Sequence, residues 1–253
     1  ETLPTRCVDS IRWYKAVEYA TFYCSTVALL PTHQPSTNAV VARNRRIGIS
    51  IVDFTGWKET CTISEITTHL RTGYKHARET NKRLAEEAGV RESIRVTTMK
   101  PGGSVPKVAG RTAGMSYPTF KYTLRRITVQ VGTPIDNILI EAGVPYEDSV
   151  YTPNTHVFEY PIEQGPARPA KEVSLWEQAF NLILLQREWA DNAVSNTLYF
   201  KPAWSQNSYN PNHEEDILEE VLANLCPLVK SVSVLPHTDE GIFPQMPEQG
   251  ITK

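Results

Sequence analysis

The chain has 253 residues, 40% hydrophobic and 21% charged, enough for one large domain or two small ones with a real core. A formal net charge of -2 gives no field that would draw nucleic acid or an acidic membrane surface, so an anionic ligand must be held by a local device. No apolar run approaches the roughly 20 residues of a membrane span, and Cys7, Cys24, Cys61 and Cys226 form no Cys-x-x-Cys or Cys/His pair, which argues against zinc and disulfides and fits a reducing cytosol.

The start at Glu1, without Met and without a basic region followed by an apolar one, reads as an internal cut or a processed piece. From Asp9 to about Leu30, Ile11, Tyr14, Val17, Ala20, Tyr23 and Val27 recur at helical spacing, with Asp9 or Ser10 as N-cap and Pro31 as the stop. Asn44 to Val52 alternates small and branched apolar residues and predicts a strand. Ile63 to Ala88 predicts a helix closed by Gly89. Ile94 to Met99 reads as a strand, Thr133-Pro134 opens a helix that closes at Gly143, and Thr155 to Tyr160 reads as a strand. Ser174-Leu175-Trp176-Glu177 has the pattern of a capping box opening a helix through Trp189. Thr197 to Lys201, a helix from His213 to Cys226, and Ser231 to Leu235 complete the series. Helices alternating with short apolar strands predict an α/β sheet or barrel, whose ligands sit at strand ends.

One such end stands out. After Thr97-Thr98-Met99 come Lys100, Pro101, Gly102, Gly103, Ser104 and Val105. Adjacent glycines let backbone N–H groups turn toward an anion, and a Ser hydroxyl adds a donor, so the composition suits a phosphate cradle. The same composition also makes a plain turn, and it is not a Walker loop, because no Gly-Lys-Ser/Thr follows the required spacer.

The runs Asn38 to Ile51 (NAVVARNRRIGISI), Val90 to Gly110 (VRESIRVTTMKPGGSVPKVAG), the pair Arg125-Arg126, and Gln186 to Pro202 (QREWADNAVSNTLYFKP) occur in this order. In order and wording they resemble the C-terminal part of the catalytic barrel of adenosylcobalamin-dependent ribonucleotide reductases, most closely the ribonucleoside-triphosphate type. The resemblance runs from about Trp13 to the C-terminal end. It implies an α/β chain forming the second half of a ten-stranded α/β barrel, as a single domain over 1–253. It also implies adenosylcobalamin as cofactor, a ribonucleotide substrate and a thioredoxin-like reductant, in the cytoplasm and without membrane or nucleic-acid binding. In that family a finger-loop cysteine becomes a thiyl radical that takes hydrogen from C3′ of the ribose, and a cysteine pair delivers the reducing equivalents at C2′. Enclosure keeps such a radical from water.

Pro101, Gly102, Gly103, Ser104 and Val105 match the family's Pro-Ser/Gly-Gly-Thr/Ser motif, so the resemblance implies that they hold the substrate phosphates. The finger-loop signature Asn-Pro-Cys-x-Glu does not occur: the sole Asn-Pro is Asn210-Pro211, followed by Asn212. The chain is therefore expected to need an upstream segment for turnover, and none of its residues is assigned the radical chemistry. A nucleotide-binding or regulatory relic without catalysis is the alternative. Where di-iron relatives carry two adjacent tyrosines, this sequence has Tyr199-Phe200, which favours a radical made in place by cobalamin.

Other residues invite roles. Cys7 beside Arg6 has a cation that lowers a thiol pKa, but reads as packing, as do Cys24 and Cys226. No histidines stand at the i, i+4 spacing of a helical metal pair, and His69 and His76 lie two turns apart, so no metal or cobalt ligand is assigned. Arg45, Arg46, Arg125 and Arg126 suit either nucleotide phosphates or ion pairs at strand ends. The run His213-Glu214-Glu215-Asp216 reads as an acidic helix N-terminus.

Overall fold

The computed structural model describes residues 2–3, 9–102, 106, 110–205, 208–237 and 243–251. Helix α1 (Ser10–Val27) begins where the Asp9 carboxylate accepts from Ile11 N, and it buries Trp13, Val17, Thr21 and Ser25. That face packs on α4 (Ile63–Glu87), which Thr62 and Glu65 open as a reciprocal capping box and which buries Ile66, Leu70, Gly73 and Ala77. The contact is close because Gly73 has no side chain: a Cβ there would stand 2.7 Å from Trp13 Nε1. Trp13 in turn donates to His69 O at 3.0 Å and stacks obliquely between Trp57 and Trp189, with ring centroids 5.6 and 5.9 Å away. The three indoles join α1, α4 and the helix Leu175–Glu188 in one apolar core.

Around that core runs a series of short parallel segments. β1 (Thr2–Leu3) pairs with β2 (Ser50–Ile51), Ile49 bridges to Thr97, Met99 bridges to Val194, and β6 (Leu198–Phe200) pairs with β9 (Val234–Pro236), all parallel. Ile49, Ile51, Val96, Met99, Val194 and Leu198 are all fully buried, as expected of parallel strands covered on both sides. Helices fill the intervals: α1 and α2 (Pro35–Asn44), then α3 (Phe54–Lys58) and α4, then Leu175–Glu188, then Leu218–Leu225. This is the α/β alternation that the sequence periodicity predicts.

The ladders are two or three residues long, so side chains do much of the joining. The Asp191 carboxylate accepts from Val96 N and Thr97 N at 2.9 Å, and Asn192 Nδ2 donates to Ile47 O and Thr97 O at 3.0 and 2.8 Å. Trp189 Nε1 reaches Thr98 O at 2.9 Å. One turn of chain, 189–192, thus ties three neighbouring segments together.

Several expectations need correction. The helix expected to stop at Pro31 already ends at Val27, and the strand expected over 44–52 is regular only at Ser50–Ile51. Helix α2 has no sequence signal beyond Pro35 at its first turn, because none of its residues is buried. The helix expected from His213 begins at Leu218. Thr155 to Tyr160 is a strand, β5 (Thr155–Glu163), but it belongs to a separate antiparallel sheet. There it pairs with β3 (Tyr122–Gln130) and β4 (Tyr146–Asp148), and β10 (Glu248–Gly250) closes the other edge of β3. The helix Pro134–Glu141, capped by Thr133, connects β3 to β4 in sequence, and its buried Asp136 accepts from His156 Nδ1 at 2.7 Å. Among the described residues, no helix is long and apolar enough to cross a membrane.

Gly73→Ala is expected to destabilise the fold by about 1–3 kcal/mol, because the added methyl forces Trp13 or α1 to move. Urea unfolding followed by tryptophan fluorescence measures it, and an unchanged midpoint would show that the interface yields without cost.

Candidate functional site

The carboxyl ends of the parallel segments lead to Asp53, to Lys100-Pro101-Gly102, to Lys201 and to His237. In open and closed α/β sheets this edge is where backbone donors are free to meet a ligand. The glycine loop leaves from it. Lys100 N donates to Ser50 Oγ at 2.8 Å, pinning the outgoing limb to β2, and Gly102 N folds back on Lys100 O at 3.1 Å. Pro101 is exposed and Gly102 half-buried; Gly103, Ser104 and Val105 lie outside the described residues.

The returning limb, from Gly110 to Ser116, is fastened just as firmly. Asp53 is buried, stands in the left-handed region at φ 56°, and accepts from Thr112 Oγ1 at 2.9 Å and Thr112 N at 3.4 Å. Its other oxygen meets Arg111 Nη1 at 3.2 Å, and its own N–H donates to Thr112 O at 3.0 Å. Phe54 N then donates to Gly114 O. Gly114 itself is at φ 55°, and a Cβ there would stand 2.7 Å from Lys100 O, so a glycine lets the two limbs touch. Gly56 is required for a similar reason, since a Cβ would lie 2.4 Å from Asp53 Oδ1. The loop is therefore carried on a rigid base of buried hydrogen bonds. Fixed N–H groups act on an anion without first paying to reorganise.

A second polar cluster braces the same edge. Glu177 Oε1 receives Lys58 Nζ at 2.8 Å, Arg168 Nη2 at 2.6 Å and Tyr117 Oη at 3.1 Å, while Arg168 Nε binds Glu59 at 2.7 Å. Burial alone would raise the Glu177 pKa, but Lys58 and Arg168 outweigh it and hold the carboxyl below its ordinary 4.5. The Tyr117 phenol is pushed upward by burial and by the Glu177 charge, so it remains a donor; Asn181 Nδ2 donates to it at 2.9 Å. Ser174 caps the helix Leu175–Glu188 as the sequence suggests, yet the Glu177 carboxylate turns inward to these cations.

The acidic run expected to be a helix N-terminus does something different. Glu214 is buried and accepts from Leu175 N at 2.8 Å and Lys201 N at 3.0 Å, and Glu215 accepts from Ala203 N at 3.0 Å. These carboxylates satisfy orphan donors of a distant helix and of the loop after β6. Gln178 clamps Tyr199 on both sides, accepting from its N–H at 2.8 Å and donating to its O at 2.7 Å. The Tyr199 ring meets His237 edge-on at 6.3 Å, and Phe200 packs against the core.

The remaining candidates separate. Arg125 and Arg126 pair with Glu248 at 2.8 Å and Glu159 at 2.6 Å within the antiparallel sheet, which leaves the ion-pair reading for both. Arg45 is buried at φ 44° and donates to Ser25 O and Ala28 O, closing α2 onto α1, whereas Arg46 is exposed. Cys226 is exposed in a 3-10 turn, not in the core, because the helix ends one residue earlier; Cys7 lies outside the described residues. Among the described residues no three His, Cys, Asp or Glu side chains converge on a metal position. The sequence reading missed Asp53, Arg111 and Thr112, whose one signal was Gly110 and Gly114 flanking a polar pair.

No family model matches the chain. It is 33% identical over 256 residues to an adenosylcobalamin-dependent ribonucleoside-triphosphate reductase of Euglena gracilis, covering 100% of this chain and 34% of that protein. A probable reductase of the same name from Dictyostelium discoideum is 33% identical over 99% of this chain and 32% of its own length. The Lactobacillus leichmannii reductase is 29% identical over 91% of this chain and 34% of its own. A crystal structure of a B12-dependent (class II) ribonucleotide reductase superposes with a TM-score of 0.81 at 28% identity, covering 95% of this chain and 36% of that one. The chain thus spans about a third of the length of the curated relatives it matches.

Asp53→Ala is expected to cost about 3–5 kcal/mol, because it leaves the Arg111 guanidinium without its buried partner; urea unfolding measures the loss. Glu177 adds a pH dependence. Its folded pKa is depressed, so its contribution is fully present above about pH 4.5 and is lost as pH falls through the lower folded value. Between pH 7 and 3 the wild-type unfolding midpoint should therefore drop more steeply than that of Glu177→Gln, and parallel curves would remove Glu177 from the account.

Proposed function

We propose, from the premise of a chain related throughout its length to about a third of the adenosylcobalamin-dependent ribonucleoside-triphosphate reductases, that it supplies the substrate-phosphate side of such a reductase. In this reading the parallel segments are the second half of a ten-stranded α/β barrel, and residues 1–253 form one unit of it. Pro101, Gly102, Gly103, Ser104 and Val105 hold the phosphates of a ribonucleoside triphosphate at the carboxyl edge. The observation that carries the reading is the doubly fastened base of the loop, with Ser50 on one limb and Asp53 on the other.

The reaction replaces the ribose 2′-hydroxyl by hydrogen and releases water, while a dithiol is oxidised to a disulfide. What this chain contributes is orientation. A triphosphate gripped at one end by fixed N–H donors presents its ribose at a set depth, and such positioning can be worth several kcal/mol of barrier. Tyr199 and Phe200, one clamped by Gln178 and the other packed on the core, lie at an adjacent strand end on the same edge. Adenosylcobalamin supplies the radical when bound and brings its own cobalt. The described residues here offer it no converging donor set: His69 Nδ1 sits on Glu65 O, and the His76 ring packs on Tyr14. No step is routed through it in this chain. In this reading the radical cysteine belongs to an upstream segment, the paired thiols of a mobile C-terminal tail lie outside residues 1–253, and a thioredoxin-like reductant is a partner in the cytosol.

In the full-length protein, adenosylcobalamin, a dithiol and a ribonucleoside triphosphate should yield the 2′-deoxynucleotide. Gly102→Val should raise KM for the nucleotide by at least about tenfold, because a β-branched side chain keeps the phosphates from approaching the backbone of the loop. Nucleotide binding with no deoxynucleotide under any complementation would instead favour a non-catalytic relic. Turnover with an unchanged KM in Gly102→Val would remove the loop from substrate binding while leaving the enzyme reading intact.

A further inference from the structure

The amino-terminal ends of the same parallel segments carry an unexplained feature. A cavity of about 440 Å³ opens there, lined by Tyr74, Arg95, Gln186, Trp189, Asp191 and Lys230 among others. It faces away from the glycine loop, because Arg95, Asp191 and Lys230 precede the segments whose far ends reach Lys100, Lys201 and His237.

The charges around it do not balance locally. Two acidic side chains line the cavity, and both are already engaged. The Asp191 carboxylate accepts from Val96 N, Thr97 N and Thr97 Oγ1. Glu188 holds Arg71 through two bonds of 2.8 and 3.0 Å, with Arg187 3.6 Å away. Arg95 and Arg46 have no carboxylate partner among the described residues, and both are exposed. Lys230 Nζ, on the same cavity as Arg95, is bonded to the carbonyl oxygens of Asp191 and Asn192. Burial, then the neighbouring Arg95 charge, hold its ammonium below the ordinary lysine range; Asp191 opposes this and Arg46 adds to it. Arg95 and Lys230 thus share one cavity wall, and each raises the cost of the other.

Gln186 braces the wall behind them. Gln186 donates through Nε2 to Ala190 O at 2.7 Å and Asn192 O at 3.0 Å, which fixes its amide; its Oε1 is buried and meets no donor.

We propose that this cavity binds a small phosphate-type polyanion, with Arg95 and Lys230 as its charge contacts. A phosphate supplies the negative charge that these cations lack. The guanidinium fork and the ammonium both suit its oxygens, and the volume falls in the range of small-molecule sites. The site is on the opposite edge from the loop, so its ligand is not the reacting nucleotide, and the inference stands independently of the reductase reading. Occupancy would tie the turn 189–192 and the segment after the 3-10 turn Cys226–Leu228 more tightly to the segment 96–99.

Calorimetric titration of the full-length protein with inorganic pyrophosphate tests this, with Gly102→Val as background to remove the loop's contribution. Arg95→Ala and Lys230→Ala should each weaken binding by about tenfold or more, the scale of one charged contact. Lys75→Ala, which removes an exposed cation elsewhere on α4, should leave affinity unchanged. Arg95 makes no side-chain bond among the described residues, so its variant carries the test where loss of Lys230 lowers stability. The proposal is overturned by an absence of pyrophosphate binding, by wild-type affinity in Arg95→Ala, or by an equal loss in Lys75→Ala, which would mean diffuse attraction only.

Discussion

A parallel sheet whose strands pair over two or three residues has too few ladder hydrogen bonds to hold its own register, and this chain answers with side chains at the turn 189–192. Asp191 accepts from two consecutive N–H groups of the neighbouring segment, Asn192 reaches two carbonyls on different segments, and Trp189 takes a third. These bonds are buried or nearly so, where a carboxylate accepting N–H groups is worth more than in water. Everything at the carboxyl edge depends on that register: a slip of one residue would carry Lys100 away from Ser50 and separate the glycine loop from its base.

The same division of labour recurs through the core. Apolar burial brings the layers together, with Trp13 held between Trp57 and Trp189 and close against Gly73, while buried polar groups choose the arrangement. Glu214 satisfies donors 39 and 13 residues away, and Gln178 fastens both backbone groups of Tyr199. Each such group would be costly if left unmet, so the alternatives that leave it unmet are disfavoured. The two edges of the parallel segments then differ in character. One edge carries the braced limbs of the glycine loop; the other carries Arg95 and Lys230 around a polar cavity.

The antiparallel sheet is a separate solution to a separate problem. β3 and β5 pair over nine residues and need no side-chain rescue, and their ion pairs, Arg126 with Glu159 and Arg125 with Glu248, lie across neighbouring strands. The Asp136–His156 contact ties the helix Pro134–Glu141 to it. These arginines look from sequence like phosphate contacts only because the strand that pairs them with glutamates lies more than a hundred residues away for Arg125 and 33 away for Arg126.

The sequence by itself determined what depends on neighbours along the chain. The helix over 63–87, the cap Ser174 and the short strand within 197–201 could be read locally, because helix spacing and caps are set within four residues. The buried face of α1 could not: Trp13, Val17, Thr21 and Ser25 meet the core while Ile11, Tyr23 and Val27 of the expected apolar face are exposed, and 94–99 makes only single bridges at Thr97 and Met99. The glycine loop was legible as a turn able to face an anion. Only the tertiary structure decided which polar residues serve it. Asp53 meets Thr112 across 59 positions and Ser50 meets Lys100 across 50, and no local pattern encodes a bond between groups that far apart. Tertiary structure also turned Glu177 inward from its own cap, gave Glu214 its distant donors, and set Arg95 beside Lys230, because burial and charge are properties of the packed chain and of no single stretch of it.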